Sequence, residues 1–142
     1  MADIQLQRTF GVSVERLFEV VTSRRYLLEW IGHDGMTKPE DDLDFSREGP
    51  WFVVMQGADG TRYKVSGQVT HVRAPSTVGF TWGWHDPDDE RGSESHVIFT
   101  VQPVPQGAQL TIYHCDLDDS PQSQRHLEGW TASVERLGAL VS

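Results

Sequence analysis

The segment from Ser120 to Val141 carries the pattern that most restricts the fold of this chain. Ser120 followed by Pro121 is a helix start signal, because the hydroxyl can cap free amides and the proline ring fits the first helical position. Large apolar residues then recur three and four positions apart, as they do on one face of a long helix: Leu127, Trp130, Val134, Leu137 and Val141. That face must be buried, and since the preceding chain alternates with period two, we expect a curved sheet to wrap around the helix.

Length, charge and cysteine content restrict the class of protein. A chain of 142 residues is long enough for one hydrophobic core, and we expect residues 1–142 to form a single domain. With 21 acidic and 12 basic side chains, the chain carries negative charge that argues against nucleic acid or an anionic membrane surface as a partner. The single cysteine, Cys115, excludes an internal disulfide and fits a reducing, cytoplasmic setting. Because no apolar run approaches membrane-spanning length, we expect a soluble protein that does not insert into a membrane.

The first part of the chain predicts a strand, two short helices and a loop. Residues 4–10 alternate apolar and polar side chains, as a strand with one buried face does. Ser13 and Ser23 are helix-capping residues that predict two short helices, the second of which ends at Trp30. Residues 31–43 contain glycine, proline and acids without a period, and we interpret them as a loop.

Asp59-Gly60 is a strong hairpin signal, because both positions of a type I′ turn favour positive φ. A two-residue loop at these positions would pair Val54 with Val65 and Phe52 with Gly67. That face is mainly apolar, and we expect it to point into the core.

The opposite face of this hairpin would then lie outside and carry an apolar patch made of Trp51, Val53 and Met55. Such a patch can bind a partner or a second copy of the chain, which would give a homodimer. Scattered exposed apolar residues are also ordinary on protein surfaces, so the alternative is a patch without function.

The second half of the chain predicts further strands with one apolar face. Between Val78 and Trp84, large residues alternate with glycine and threonine, which predicts that the large side chains face inward. The same alternation returns at residues 97–101 and 110–114. The predicted order is a strand, two helices, about six strands joined by hairpins, and a long helix.

Several short motifs occur in an order that resembles a known family. They are Gly49-Pro50-x-Phe52-x-Val54, Asp59-Gly60-x-x-Tyr63, Phe80-Thr81-Trp82, Leu110-Thr111-Ile112-x-His114 and His126-x-x-Gly129-Trp130. From about Thr9 to Leu140 the chain resembles the activator of heat-shock protein 90 ATPase homologue-like branch of the START-like (SRPBCC, Bet v1-like) superfamily. The resemblance implies an α+β helix-grip fold, in which a curved antiparallel sheet wraps around a long C-terminal helix, with two short helices after strand 1.

The resemblance also implies a cavity between the sheet and the C-terminal helix. The residues expected to line it are mostly aromatic or aliphatic: Trp30, Phe52, Val54, Tyr63, Val65, Phe80, Trp82, Trp84, Phe99, Ile112, His114, His126, Leu127, Trp130 and Val134. Such a set suits a planar apolar ligand and equally suits a filled core. Trp130 in particular is either a core anchor or part of the cavity wall, and with the resemblance we expect the second.

Histidines are the candidates for acid–base chemistry near neutral pH. His114 belongs to the inward set of the last strand and His126 begins the helix stripe, so the two rings could approach at one end of the cavity. We interpret each as a satisfied interior or rim histidine rather than a catalytic one. His33, His85 and His96 lack the spacing that brings metal ligands together, and we expect neither a metal nor a cofactor.

We therefore expect a cytoplasmic START-like protein that binds a small hydrophobic or aromatic molecule, lipids included, between sheet and helix, without turnover. One alternative is a cyclase or lyase that acts on a polyketide-like substrate, with His114 and His126 as its first candidates for proton transfer. A second alternative is a stress-related co-chaperone that uses an outer surface. The fold does not choose among these functions.

Overall fold

The computed structural model describes residues 2–32, 35–117 and 125–141. The elements in chain order are β1 (Ala2–Phe10), α1 (Val14–Thr22), α2 (Arg24–Trp30), β2 (Thr37–Asp42), β3 (Gly49–Gln56), β4 (Arg62–Arg73), β5 (Thr77–His85), β6 (Arg91–Val104), β7 (Gly107–Leu117) and α3 (His126–Val141). The strands form one antiparallel sheet of seven in the order β1-β7-β6-β5-β4-β3-β2. This arrangement confirms the predicted helix-grip fold, with the sheet curved around α3.

The two short helices after β1 form as predicted. Ser13 caps α1, because its hydroxyl accepts a hydrogen bond from the Arg16 N–H at 3.1 Å. Ser23 lies at the start of α2, where its own N–H donates to the Glu19 carbonyl instead of its side chain making a cap. Both helices bury one face in the core, which includes Trp30 at the end of α2.

The expectation of a loop over residues 31–43 is wrong for its second half. Thr37–Asp42 forms β2, which pairs with β3 and lies at the edge of the sheet. An edge strand needs no apolar alternation when its side chains stay in water, and it tolerates Pro39 because one row of its N–H groups has no ladder partner. The hydrophobic period that predicts buried strands is therefore missing from β2.

The β3–β4 hairpin has a longer loop than predicted. The Gly57 N–H donates to the Thr61 carbonyl at 2.9 Å, and the Gly60 N–H donates to the Gly57 carbonyl at 3.0 Å, which leaves residues 58–60 in the loop. Gly60 has φ +86°, whereas Asp59 does not have a positive φ, so the predicted type I′ turn is wrong. The extra residue shifts the pairing by one position and places Val53 opposite Val65.

This shift reverses the two faces of β3. Trp51, Val53 and Met55 are at most 3% exposed and belong to the core. Phe52 and Val54 lie on the outer face of the sheet, opposite Ser66 and Lys64. The predicted exterior apolar patch is therefore wrong, and the homodimer hypothesis loses the surface on which it rested.

Helix α3 buries Trp130, Ser133, Val134 and Leu137 against the concave face of the sheet, and His126 begins this face. Leu127 is 48% exposed, so its predicted inward position is wrong. It follows His126 by one residue and is turned by about 100° around the helix axis, away from the buried face. The predicted start signal at Ser120-Pro121 lies outside the described residues.

Among the described residues, no helix combines the length and the apolar character needed to cross a membrane.

Candidate functional site

An apolar pocket opens at one end of the space between the sheet and α3, and we call it the end pocket. Its volume is about 90 Å³. The residues around it are Ile31, Gly32, Met36, Met55, Tyr63, Trp82, Trp84, Arg125, His126, Gly129, Trp130 and Ser133. The pocket is thus large enough for a small ring or for one end of a longer molecule.

Five of the residues predicted to line a cavity come together around this pocket. Tyr63, Trp82, Trp84, His126 and Trp130 form its aromatic wall. Tyr63 is more than one-third exposed and lies at the mouth, whereas Trp82 and Trp130 are buried.

Most of the other predicted residues fill the core beyond the pocket: Trp30, Val65, Phe80, Phe99, Ile112 and Val134. Phe45, which the sequence did not single out, stacks on Phe80 with ring centroids 4.1 Å apart. These rings occupy the space that a larger cavity would need. Phe52 and Val54 face away from the pocket because of the hairpin register, and Leu127 because of its position on α3.

Sequence reasoning missed several residues of the wall. Met55 was assigned to the wrong face by the hairpin register, and Met36 was assigned to a loop. Gly32 and Ser133 meet because the Gly32 N–H donates to Ser133 Oγ at 2.9 Å. No local sequence signal links two residues so far apart in the chain.

His114 lies next to the pocket and is held by two hydrogen bonds. Trp130 Nε1–H donates to His114 Nδ1 at 3.0 Å, so the ring proton must be on Nε2. His114 Nε2 lies 2.7 Å from Ser95 Oγ and donates to it, and the Ser95 hydroxyl donates to the Trp82 carbonyl at 3.3 Å. Every polar atom of the neutral imidazole therefore has a partner.

Burial lowers the pKa of His114 to about 3, and the nearby His126 and His96 add to this effect. The ring is therefore neutral near pH 7, and both of its nitrogens are engaged. His114 holds the wall of the pocket in place and is not available to accept a proton from a ligand.

His126 lies at the start of α3 and faces His114, with ring centroids 4.7 Å apart. This confirms the prediction that the two rings approach at one end of the cavity. Trp84 Nε1–H donates to His126 Nε2 at 2.8 Å, and the two rings are stacked with centroids 6.0 Å apart. Each histidine thus accepts a hydrogen bond from a different indole.

Trp82 lies at the centre of this aromatic cluster. Its ring is 5.3 Å from Trp130 and 5.6 Å from both Trp51 and Trp84, measured between centroids. Among the described residues, the buried Nε1–H groups of Trp82 and Trp51 have no hydrogen-bond partner. Of these two, only Trp82 lines the end pocket. An unpaired buried donor is costly, and Trp82 therefore carries an unmet hydrogen bond next to the end pocket.

Within residues 2–32, 35–117 and 125–141, no cluster of three His, Cys, Asp or Glu side chains could hold a metal ion. The polar groups of the end pocket are instead indole, imidazole and hydroxyl groups, with Arg125 at its wall.

We expect the protein to lose stability in acid because His114 is buried as the neutral ring. Its pKa is about 3 in the folded protein and about 6.5 in the unfolded chain. The unfolded chain binds a proton first as the pH falls, so this contribution is complete above pH 6.5 and is lost towards pH 3. Between pH 7 and pH 4.5 the free energy of unfolding should fall by roughly 2–3 kcal/mol.

Urea unfolding followed by circular dichroism at both pH values measures this change. The variant His114→Gln removes the titrating ring and should show a flatter pH profile, whatever its stability at pH 7. An equally steep profile in His114→Gln would assign the acid sensitivity to other groups.

A curved antiparallel sheet around a C-terminal helix, with two helices after the first strand and a pocket between sheet and helix, defines the helix-grip fold of START-like (Bet v1-like) proteins. Residues 11–142 match the family model described as Activator of Hsp90 ATPase homolog 1-like protein. The chain belongs to this family.

Solved structures agree with this assignment. The chain is 54% identical to the AHSA1 protein of Silicibacter pomeroyi, with 97% of this chain and 96% of that chain covered and a TM-score of 0.92. A protein of Chromobacterium violaceum is 20% identical, with 98% and 96% covered and a TM-score of 0.86. A protein of Mycobacterium smegmatis is also 20% identical, with 99% and 90% covered and a TM-score of 0.79. The two last resemblances concern the fold alone. No functionally curated protein matches the sequence.

Proposed function

We propose that the protein binds a small, mainly apolar molecule in the end pocket and does not convert it. The observation that carries this proposal is the mainly apolar pocket lined by Trp82, a residue whose buried Nε1–H has no partner among the described residues. A ligand that fills the pocket and places a hydrogen-bond acceptor near this N–H gains both apolar burial and a hydrogen bond.

The size of the pocket narrows the class of ligand. A volume of about 90 Å³ accepts a small ring or one end of an alkyl chain, and a long-chain lipid would have to leave most of its length outside. The polar end of such a molecule could remain near Tyr63 and Arg125. We therefore infer a small carbonyl or ether compound rather than a fully enclosed lipid.

The hydrogen bonds of the two histidines support binding without turnover. His114 Nδ1 accepts from Trp130 and its Nε2 donates to Ser95, while His126 Nε2 accepts from Trp84. A cyclase or lyase needs an acid or base that can exchange a proton with its substrate, and these hydrogen bonds favour a structural role instead.

A pair of probes of similar shape tests the proposal. Acetophenone has a carbonyl oxygen, whereas ethylbenzene lacks one. In ¹H–¹⁵N spectra, both should shift the indole signals of the pocket tryptophans Trp82, Trp84 and Trp130. Acetophenone should bind roughly fivefold more tightly, since one net hydrogen bond contributes about 1 kcal/mol. If neither probe shifts these signals at millimolar concentration, the end pocket is not a binding site.

Two phenylalanine variants assign the expected preference to one N–H group. Trp82→Phe should bring the two affinities together, because it keeps a ring and removes the donor. Trp51→Phe is the matched control: it also removes an unpaired buried indole N–H, but Trp51 does not line the end pocket. It should keep the preference for acetophenone. Mass spectrometry of molecules that co-purify with the native protein would then identify the natural ligand.

A further inference from the structure

A hydrogen-bonded chain of three side chains lies on the outer face of the sheet, away from the end pocket. Ser66 Oγ on β4 is 2.7 Å from His85 Nε2 at the end of β5, and His85 Nδ1 is 2.8 Å from Asp89 Oδ1 in the following loop. An ionised carboxylate only accepts hydrogen bonds, so it holds the proton of His85 on Nδ1. His85 Nε2 is then left with a lone pair directed at the Ser66 hydroxyl.

Neighbouring residues keep the Asp89 carboxylate ionised. Lys64 Nζ donates to Asp89 Oδ1 at 3.3 Å, and the Lys64 ammonium, with a smaller contribution from His85, holds the pKa of Asp89 below its usual value. Asp89 itself has φ +62°, which turns its side chain locally at the loop tip. The carboxylate therefore stays ionised at neutral pH and fixes the orientation of His85.

Arg91 adds a positive group beside the same hydroxyl. Its Nε–H donates to Ser66 Oγ at 3.1 Å and its Nη2 donates to the Ser66 carbonyl at 2.9 Å. Gly83 makes room for this arrangement, because a Cβ there would lie 2.5 Å from the guanidinium carbon of Arg91. Glu94 accepts from Arg91 Nη1 at 2.7 Å. The guanidinium is thus fixed next to the atom on which negative charge would develop if Ser66 lost its proton.

The pair Ser95 and His114 offers a comparison, because its imidazole carries the proton on the other nitrogen. His114 Nδ1 accepts a hydrogen bond from Trp130, so His114 Nε2 carries the proton and donates it to Ser95. In that pair the imidazole cannot take the serine proton. In the outer pair the carboxylate at Nδ1 selects the opposite tautomer, which is the one that acts as a base towards a hydroxyl.

An open groove of about 480 Å³ gives access to the cluster from solvent. Ser66, His85 and Arg91 line it together with the apolar side chains of Pro50 and Phe52. A small ester could therefore place its carbonyl at Ser66 and an apolar group against Phe52.

We propose that this outer groove is a second functional site, in which Ser66 is the nucleophile for hydrolysis of small carboxylic esters. Ser66 Oγ attacks the ester carbonyl carbon while its proton passes to His85 Nε2. The carbon–oxygen bond to the alcohol then breaks, the alcohol leaves with the proton from His85, and an acyl group remains on Ser66. A water molecule gives a proton to His85 and attacks the acyl carbon. The bond from this carbon to Ser66 Oγ then breaks, Ser66 Oγ takes the proton back from His85, and the carboxylic acid leaves.

The roles of the four residues differ. Ser66, His85 and Arg91 touch the reacting atoms, whereas Asp89 is a positioning residue that acts through His85. The Arg91 guanidinium, which is bonded to Ser66 Oγ and to the Ser66 carbonyl, stabilises the serine oxygen as it loses its proton. This favours esters with a good leaving group over amides. The proposal does not depend on the end pocket.

Covalent labelling of the wild-type protein is the first test. A fluorophosphonate probe should modify Ser66, and peptide mass spectrometry locates the modified residue without any substitution. In the same protein, p-nitrophenyl acetate should be hydrolysed at least roughly 10²-fold faster than by Ser66→Ala or His85→Gln, the range that a general base contributes. Ser46→Ala is the matched control, since Ser46 is an exposed serine that donates to Asp44 with no histidine; it should keep full activity.

The protonation of the imidazoles is the second test and needs no substrate. In ¹⁵N-histidine correlation spectra, His85 should carry its proton on Nδ1 and His114 on Nε2. Asp89→Asn should change the His85 signals and slow the labelling, with little change in thermal stability because the Asp89 side chain is 66% exposed. The proposal is overturned if Ser66 is not labelled, if Ser66→Ala hydrolyses the ester as fast as the wild type, or if wild-type His85 carries its proton on Nε2.

Discussion

Replacing Val53 with lysine should unfold the protein or leave it barely stable. Val53 is fully buried opposite Val65, between the inward side chains of Trp51 and Met55. An ammonium group in this apolar layer has no partner, and such burial costs several kcal/mol. We expect a loss of about 4 kcal/mol or more, which is a large part of the 5–15 kcal/mol that stabilises a typical domain. Urea unfolding followed by circular dichroism measures the loss.

Phe52→Lys is the matched control for this substitution. Phe52 is the neighbouring residue, lies half-buried on the outer face and pairs with Asp42 of β2. A lysine there can reach water and the Asp42 carboxylate, so the loss should stay below about 1.5 kcal/mol. A two-residue turn at Asp59-Gly60 would reverse the order of the two variants. A monomeric, stable Val53→Lys protein would therefore contradict the register seen in the structure.

The order of the elements could be predicted from the sequence because it depends on local patterns. Alternation between Val78 and Trp84 defines β5, and the capping role of Ser13 defines α1. These signals act over a few residues, so neighbouring parts of the chain do not change them.

The register of β3 and β4 could not be predicted in the same way. Asp59-Gly60 is compatible with a two-residue turn and also with a three-residue loop that begins at Ala58. The apolar pattern of β3 does not decide between them, because Trp51 and Val53 make one face as apolar as the other. Only packing against the rest of the sheet determines that the face of β3 with Val53 is the buried one.

The end pocket and the outer groove show the same limit of prediction from sequence. The aromatic wall of the end pocket could be predicted because Trp82 and Trp84 lie on one strand with an obvious inward face. Two other features could not be predicted: the hydrogen bond from Trp130 to His114 and the hydrogen-bonded chain from Ser66 to Asp89. Each joins different elements, and the relative position of these elements depends on the register of the sheet. One residue of slip in β4 would move Ser66 to the other face of the sheet.

Truncating Trp130 should cost both stability and ligand binding. Its ring packs 5.3 Å from Trp82 and 5.8 Å from Phe99 between centroids, and it is 3% exposed. Trp130→Ala should lower the free energy of unfolding by roughly 3–5 kcal/mol, the usual cost of removing a large buried ring. The sequence favoured a cavity wall with a smaller loss, but the ring contacts and the bond to His114 indicate that Trp130 is also part of the core.

The variant Trp130→Phe keeps an aromatic ring at this position and removes the indole N–H group. It keeps most of the packing but leaves His114 Nδ1 without its donor, which should cost about 1–3 kcal/mol. Trp84→Phe is the matched control, since it removes the corresponding indole N–H from His126 at a half-buried position near the mouth of the pocket, and it should cost less. Urea unfolding at pH 7 ranks the three variants.

If Trp130→Ala costs less than about 1 kcal/mol, Trp130 borders empty space rather than packed side chains. If Trp130→Phe is as stable as the wild type, the indole does not hold His114, and the fixed tautomer assigned to that ring would have to be given up.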